Sequence, residues 1–280
     1  MNNFKTVGLL AFMTALLFFI VYAIGGGIVL ALIIAFGFNF FAFFFSDKMA
    51  LKASRAKPVT EAELPDVYGI MRRLTQATDM PMPTIHLIES PQPNAFATGR
   101  SPKKAAVAVT TGIMDQLSYD ELEAVLAHEL AHVKNRDILI SSIAAMLGAA
   151  IAIIARIAMW TSMGNGRNNP LGIIGFLVSL IIAPLAAMLI RFAISRTREF
   201  QADRTGAEIT GRPMQLASAL DKISEGAIRR PMNVNPATSQ LFIENPMKGV
   251  KGQGITRLLS THPPTAERVE RLTNMAMGIS

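Results

Sequence analysis

The sequence predicts a mainly α membrane protein, in which two transmembrane or membrane-inserted helical hairpins hold a cytoplasmic α+β domain with a small antiparallel sheet. Three observations predict it. Charge is missing in long blocks, the polar stretches contain short strand patterns, and His128-Glu129-Leu130-Ala131-His132 lies on an amphipathic helix just ahead of an apolar run.

With 51% hydrophobic and 17% charged residues, and a mean hydropathy of +0.36, the chain is too apolar for an ordinary soluble domain. No charged residue occurs from Thr6 to Ser46, and Gly25-Gly26-Gly27 divides that run into halves of roughly 18 residues, near the minimum for spanning. Residues 1–46 therefore read as a tight transmembrane hairpin. A cleavable signal peptide over Val7 to Ile24 is the alternative, although a second apolar half follows almost at once. Lys48, Lys52, Arg55 and Lys57 then place this flank, and with it the N-terminus, in the cytoplasm.

A second apolar pair, Ile138 to Ala155 and Asn168 to Ile190, forms the expected hairpin 138–190. Lys134, Arg136, Arg191, Arg196 and Arg198 flank its outer ends, against Arg156 and Arg167 near its turn, so the outer ends again face the cytoplasm. The first run is only about 27 Å long as a helix and Pro184 kinks the second, so a hairpin that enters without crossing is the alternative. Residues 47–137 and 191–280 are then two parts of one cytoplasmic domain. The net charge of +7 invites nucleic acid, but the basic residues cluster beside apolar segments without interleaved aromatics, which fits a lipid bilayer and excludes nucleic acid. With no cysteine, a metal here has only nitrogen and oxygen ligands.

Within the soluble parts, Thr60 with Glu63 forms a capping box opening a helix through Val67, Ile70, Met71 and Leu74 to about Thr78. Prolines then punctuate strand candidates Thr84 to Ile88, Ala95 to Thr98 and Ala105 to Thr110, whose exposed edge is suited to holding an extended peptide. Ser118 with Glu121 caps the motif helix, whose apolar stripe is Leu122, Val125, Leu126, Leu130 and Val133. Pro213 starts a helix with Leu216, Leu220 and Ile223. Arg229 to Thr256 lacks any period and reads as a mobile loop near the cleft, and a last helix from about Thr265 buries Val269, Leu272 and Met275.

Four residues apart on a helix, His128 and His132 share a face and can point at one tetrahedral Zn²⁺, with Glu129 within reach of a water there. Two surface histidines beside an ordinary glutamate is the bland alternative. A third ligand is His86, His262 or a carboxylate, and Glu199 is the best carboxylate. If the second apolar pair is an antiparallel hairpin, His132 and Glu199 stand roughly 9 and 13 Å beyond its ends on the same side. Asp203, one turn after Glu199, is placed to accept a hydrogen bond from the distal nitrogen of a zinc histidine; for both Glu199 and Asp203 a solvated acidic face paired with Arg196, Arg198 or Arg204 is the alternative. His86 alternates with apolar neighbours and reads as structural. His262 and Arg268 are either a turn residue and a surface charge, or both reach the cleft to stabilise an oxyanion.

In order, the leading hairpin, Asn94-Ala95-Phe96-Ala97-Thr98-Gly99, the His128 to His132 helix, the second hairpin, the Glu199 segment and Thr261-His262-Pro263 resemble the HtpX-type membrane zinc metalloproteases, relatives of CAAX prenyl proteases and mitochondrial Oma proteases. The resemblance implies a zincin-like gluzincin domain. One zinc is held by His128, His132 and Glu199, Glu129 is catalytic, Asp203 supports the site, His262 and Arg268 approach the reacting carbonyl, and Asn94, Ala95 and Phe96 lie beside the substrate. It further implies a bacterial inner-membrane endopeptidase that cuts misfolded membrane proteins on the cytoplasmic side and also itself. Phe200 departs from the tyrosine frequent in relatives, so a hydroxyl is lost there. The rival readings are a prenyl-peptide processing protease and a non-catalytic membrane adaptor that uses zinc, with His262 as fourth ligand, to hold its hairpins together.

Overall fold

The computed structural model describes residues 2–23, 25, 27–144, 196–232, 234, 239–247 and 263–279. Residues 145–190 of the expected second hairpin, residues 191–195 after it, and His262 lie outside the described residues.

Helices α1 (Asn2–Ala23) and α2 (Gly27–Ala53) pack against each other. Their joint uses glycine's freedom, with φ of 86° at Gly25 and 71° at Gly27. On α2 a stripe of small residues, Ala31, Ala35, Ala42, Ser46 and Ala50, is buried, while Ile28, Val29, Ile33, Phe36 and Phe40 face outward. Small side chains let backbones approach closely, as in helix pairs within lipid. Asn39 lies in that stripe and donates to the Leu10 carbonyl at 3.0 Å and to Thr14 Oγ1 at 2.5 Å. Among the described residues α2 is the helix long and apolar enough to cross a membrane. It continues past the boundary expected at residue 46, so Asp47, Lys48 and Lys52 ride on the same helix.

The sheet is mixed, which corrects the expected antiparallel one. Strands β1 (Lys57–Pro58), β2 (Thr84–Ile88), β3 (Ala95–Gly99) and β4 (Ala105–Thr110) stand in the order β1-β2-β4-β3, with β2 and β4 parallel. The physical reason is the route of residues 89–94, which pass over the end of β4 and deliver β3 to its far side as an edge strand. Gly112 permits that crossing, since a Cβ there would stand 2.3 Å from the Pro91 carbonyl oxygen. Central β4 is buried on both faces, which explains its unalternating Ala-Ala-Val-Ala-Val-Thr. His86 faces Ala108 and Pro58 within this sheet.

One face of the sheet packs on α3 (Pro65–Thr78) and α5 (Tyr119–Lys134), with α4 (Thr111–Gln116) leading between strand and helix. The other face, through Ile88, Phe96 and Ala108, packs on Ala50 of α2 and on Leu241 and Phe242. Helices α6 (Arg196–Thr210), α7 (Pro213–Arg229) and α8 (Thr265–Ala276) close the core with Ala207, Leu216, Leu220, Ile223 and Leu272. Residues 138–144 are helical, and Ile140, Ile143 and Ala144 pack against Met13 and Ala42 of the leading helices.

Two local expectations need correction. The Thr60 amide does donate to Glu63, at 2.6 Å, but α3 begins only at Pro65. Proline lacks the N–H that an inner turn needs and pushes Leu64 out of the helical region, to φ −133° and ψ 64°. The loop expected over 229–256 is in part a packed segment: among its described residues Phe242 and Ile243 are buried, and Ile243 N–H donates to the Ala95 carbonyl at 2.9 Å.

Glu121 ties two of these helices. It closes the capping box with Ser118 and also accepts from Ser218 at 2.6 Å and from Lys222 at 2.7 Å, both on α7. Burial raises this carboxyl's pKa, but Lys222, Ser218 and Ser118 more than reverse that and hold it below the usual carboxylate value. Its contribution is therefore present above the unfolded pKa of about 4.3 and is lost as pH falls through the lower folded value. Glu121→Gln is expected to cost about 1–3 kcal/mol at neutral pH, read as a lower melting temperature of the detergent-purified chain. The deficit should shrink below about pH 4; equal melting temperatures at pH 7 would count against the tie.

Candidate metal centre

His128 and His132 lie one turn apart on α5, and α6 crosses that helix directly over them. The crossing is close because Gly206 has no side chain: a Cβ there would lie 2.9 Å from His128 Cα and from its amide nitrogen. Glu199 and Asp203 precede Gly206 by seven and three residues and share its face of α6. His128, His132 and Glu199 each bring a ligand atom to one place, all within 4.8 Å of one another. The two Nε2 atoms are 3.2 Å apart, and Glu199 Oε1 is 3.6 Å from that of His132. Two imidazole nitrogens and a carboxylate oxygen form a set suited to a divalent zinc, with room for a fourth, non-protein ligand.

Behind each imidazole stands a carboxylate. Asp203 Oδ1 is 3.0 Å from His128 Nδ1, although off the line of a hydrogen bond, and it forms a bidentate pair with Arg268 at 2.6 and 2.8 Å. Burial pushes the Asp203 carboxyl up, and Arg268 together with His128 more than reverses it, leaving a pKa of about 2. Asp137 Oδ2 lies 3.4 Å from His132 Nδ1. It gets there through the end of α5, where Arg136 takes φ 58° and the amides of Arg136 and Asp137 donate back to the carbonyls of Val133 and His132. That is a Schellman turn with arginine at the position glycine usually takes. Burial lowers the His132 pKa, but Asp137, Glu199 and Glu129 outweigh it and lift it to about 9.

Glu129, 2% exposed, turns to the sheet rather than to solvent, and its Oε2 accepts from the Ala97 amide at 2.7 Å. Burial raises its pKa, against the lowering effect of the two histidines. Between Glu129, the ligand set and Leu241, Phe242 and Ile243 lies a cavity of about 30 Å³. Such a space holds a water or an ion, not a peptide.

The structure thus brings His128, Glu129, His132, Glu199 and Asp203 together. Arg268 is not a surface charge. It is 2% exposed, bound to Asp203 and to the Ile243 carbonyl at 3.1 Å, and its Nη2 stands 3.5 Å from His128 Nε2. Asn94 directly precedes the edge strand and is buried, its amide bracketing the Glu244 backbone at 2.9 and 3.4 Å. The Ala95 carbonyl is taken by Ile243, and Phe96 packs edge-to-face on Phe242 with centroids 5.0 Å apart. The edge beside the site is therefore occupied by residues 241–244. Phe200 lies outside the ligand set, its ring 3.8 Å beneath the Arg271 guanidinium.

Sequence reasoning missed Asp137 and Gly206, and it placed residues 241–244 near the cleft as mobile loop without their pairing to β3. The one local signal for Asp137 was the polar Asn135-Arg136-Asp137 directly after the motif, and it points to His132 only once a left-handed Arg136 is allowed.

Comparison with known proteins gives the family. Residues 61–276 match Peptidase family M48. The chain is 50% identical over 282 residues to a Protease HtpX homolog of Thermodesulfovibrio yellowstonii, covering 99% of each, and 49% identical over 284 residues to one of Pelotomaculum thermopropionicum, covering 99% of this chain and 100% of that one. It resembles the crystal structure of S. mikatae Ste24p with a TM-score of 0.51 at 20% identity, over 94% of this chain and 65% of that one, a likeness that concerns the fold alone.

Gly206→Ala tests the crossing. In an ordinary helix the change stabilises by up to about 1 kcal/mol; here it is expected to push α6 off α5 and weaken zinc affinity on the order of tenfold, measured by chelator competition. A variant that melts higher and keeps its zinc would refute the constraint.

Proposed function

Because the chain belongs to peptidase family M48 and is a metalloprotease, we propose that it is a zinc endopeptidase seated at a membrane, cutting misfolded or damaged membrane proteins at the cytoplasmic face. The observation that carries this reading is the convergence of His128, His132 and Glu199 with a buried Glu129 against an edge strand. Family membership sets aside the non-catalytic adaptor.

Bound by the three ligands, zinc supplies a Lewis acid that acidifies water towards a pKa near 7 and polarises a carbonyl. Glu129 is the group that moves the proton. Its carboxylate takes a proton from the attacking water and returns it to the departing amine, and a pKa raised by burial suits both transfers. Asp203 and Asp137 orient the rings of His128 and His132. Arg268 acts behind Asp203, as a positioning residue. His262 is retained as a donor to the oxyanion in this proposal, on the resemblance described above.

An extended substrate pairs with the outward groups of β3, the Ala95 carbonyl and the Ala97 amide. Both groups are engaged, by Ile243 and by Glu129. Substrate entry therefore requires residues 241–244 to give way, and the same exchange frees the Glu129 carboxylate for proton transfer. Asn94 and Phe96 hold that segment by its backbone and by Phe242, so they govern access more than they touch the scissile bond.

The membrane part of the proposal rests on α2, with the apolar segments 138–190 as a second hairpin. Arg100, just beyond β3, lies 4.9 Å from the Phe44 ring near the end of α2's apolar stretch, so the substrate strand ends close to the bilayer level. That nearness favours membrane-anchored polypeptides, the chain itself included.

The test is cleavage of an unfolded reporter, and of the chain itself, by the zinc-loaded protein in detergent. Glu129→Gln is expected to keep zinc and lose at least about a hundredfold in turnover, whereas His132→Ala and Glu199→Ala lose the metal by elemental analysis. Undiminished cleavage by zinc-loaded Glu129→Gln would overturn the assignment. Equal competition by farnesylated and unmodified peptides would set aside prenyl-peptide processing.

A further inference from the structure

The backing of the two histidines is unequal. His128 has Asp203, and Asp203 has Arg268 in a closed bidentate pair. His132 has Asp137, and 3.9 Å from Asp137 Oδ1 stands Nη1 of Arg198. Read from the sequence, Arg198 is one of the basic residues flanking an apolar segment. A flanking charge should face headgroups or water, yet Arg198 is 7% exposed, and among the described residues neither of its terminal nitrogens has a hydrogen-bond partner. A guanidinium buried without hydrogen bonds is costly, so its retention needs an explanation. Packing alone does not supply one, because an uncharged side chain of similar length would fill the same space without the desolvation cost.

Charge does supply one. The negative groups acting on Arg198 are Asp137 and Glu199. Asp137 presents Oδ2 to His132 and Oδ1 to Arg198, so its carboxylate is held from both ends. Its partner across the site has the same order of groups: imidazole, carboxylate, arginine. We propose that Arg198 is a positioning residue of the metal centre, which acts through Asp137 to keep the His132 ring turned with Nε2 toward His128 and Glu199. The long contact of 3.9 Å makes this a Coulombic hold, in contrast to the hydrogen-bonded one at Asp203. Because Arg198 directly precedes Glu199, one stretch of α6 carries a ligand and the group that aims another ligand.

The proposal rests on His132 being a zinc ligand, and a double-mutant cycle read on zinc affinity tests it without recourse to peptidase activity. The full chain in detergent is compared with Arg198→Met, Arg198→Lys, Asp137→Asn and the Arg198→Met/Asp137→Asn pair, by chelator competition, alongside melting temperatures after zinc is stripped. Arg198→Met is expected to weaken zinc about tenfold, Arg198→Lys to recover most of that, and Arg198→Met to have no further effect once Asp137 is Asn. Should Arg198→Met not fold, Arg198→Gln takes its place in the cycle. An equal loss in both backgrounds, or no loss in either, overturns the role of Arg198 alone. A wild-type chain that binds no zinc overturns the ligand assignment as well.

Discussion

Four parts of the chain meet at one buried ion pair. Arg268 of α8 grips Asp203 of α6 with two nitrogens, reaches the Ile243 carbonyl with a third, and so fixes both around His128 of α5. Two charges removed from water at 2–4% side-chain exposure are costly unless geometry and hydrogen bonds are nearly complete, and removing either partner leaves the other stranded. That asymmetry makes the pair a device for position. Each of α5, α6, α8 and the 241–244 segment has to be in register for the pair to close, and the ligand set is in register when it does. The electrostatic signs agree, since Asp203 stays ionised far into acid while the neighbouring Glu129 is pushed toward taking a proton. Two carboxylates of one site are thus sorted by what lies beside them into one held ionised and one raised toward protonation.

The ligand geometry also depends on an absence. The backbones of α5 and α6 meet at Gly206, closer than any side chain allows, and this brings Glu199 within reach of histidines on another helix. The spacing is seven residues from ligand to contact, two turns, so a small displacement at Gly206 is carried along α6 to the carboxylate. The leading helices use the same principle on a larger scale, where the small-residue stripe of α2 admits close packing and turns its bulky side chains outward.

Much of this was readable in the residues. The helical period and capping box located α5, and the spacing of His128 and His132 gave a shared face; Glu199 was the best carboxylate among several third-ligand candidates, singled out by the family resemblance, with Asp203 one turn on. These are short-range regularities, repeated every turn or every second residue. What was not readable is long-range or exceptional. The parallel pairing of β2 with β4 depends on a loop crossing that only Gly112 permits. Asp137 depends on an arginine in a left-handed conformation. Residues 241–244 have no period because they are ordered by one strand edge, Asn94 and Phe96, all some 150 positions away. Arg198 carries charge, and charge patterns on a sequence say surface until burial shows otherwise; for Arg268 the residues alone left surface and cleft open. The start of α3 was displaced by Pro65, a local rule given too little weight beside the capping box.

The occupied edge of β3 has a thermodynamic meaning beyond access. A tethered segment competes for its site at an effective concentration on the order of millimolar, and residues 241–244 are tethered within the same folded chain. On the function proposed above, an incoming peptide would have to exceed that standing competition before it is aligned with the site. Well-folded neighbours, which present few extended backbones, would fall below it; chains that have lost their structure and offer long extended stretches would rise above it. Discrimination of this kind would need no recognition of sequence, because the segment would set a threshold on how much unfolded backbone is on offer.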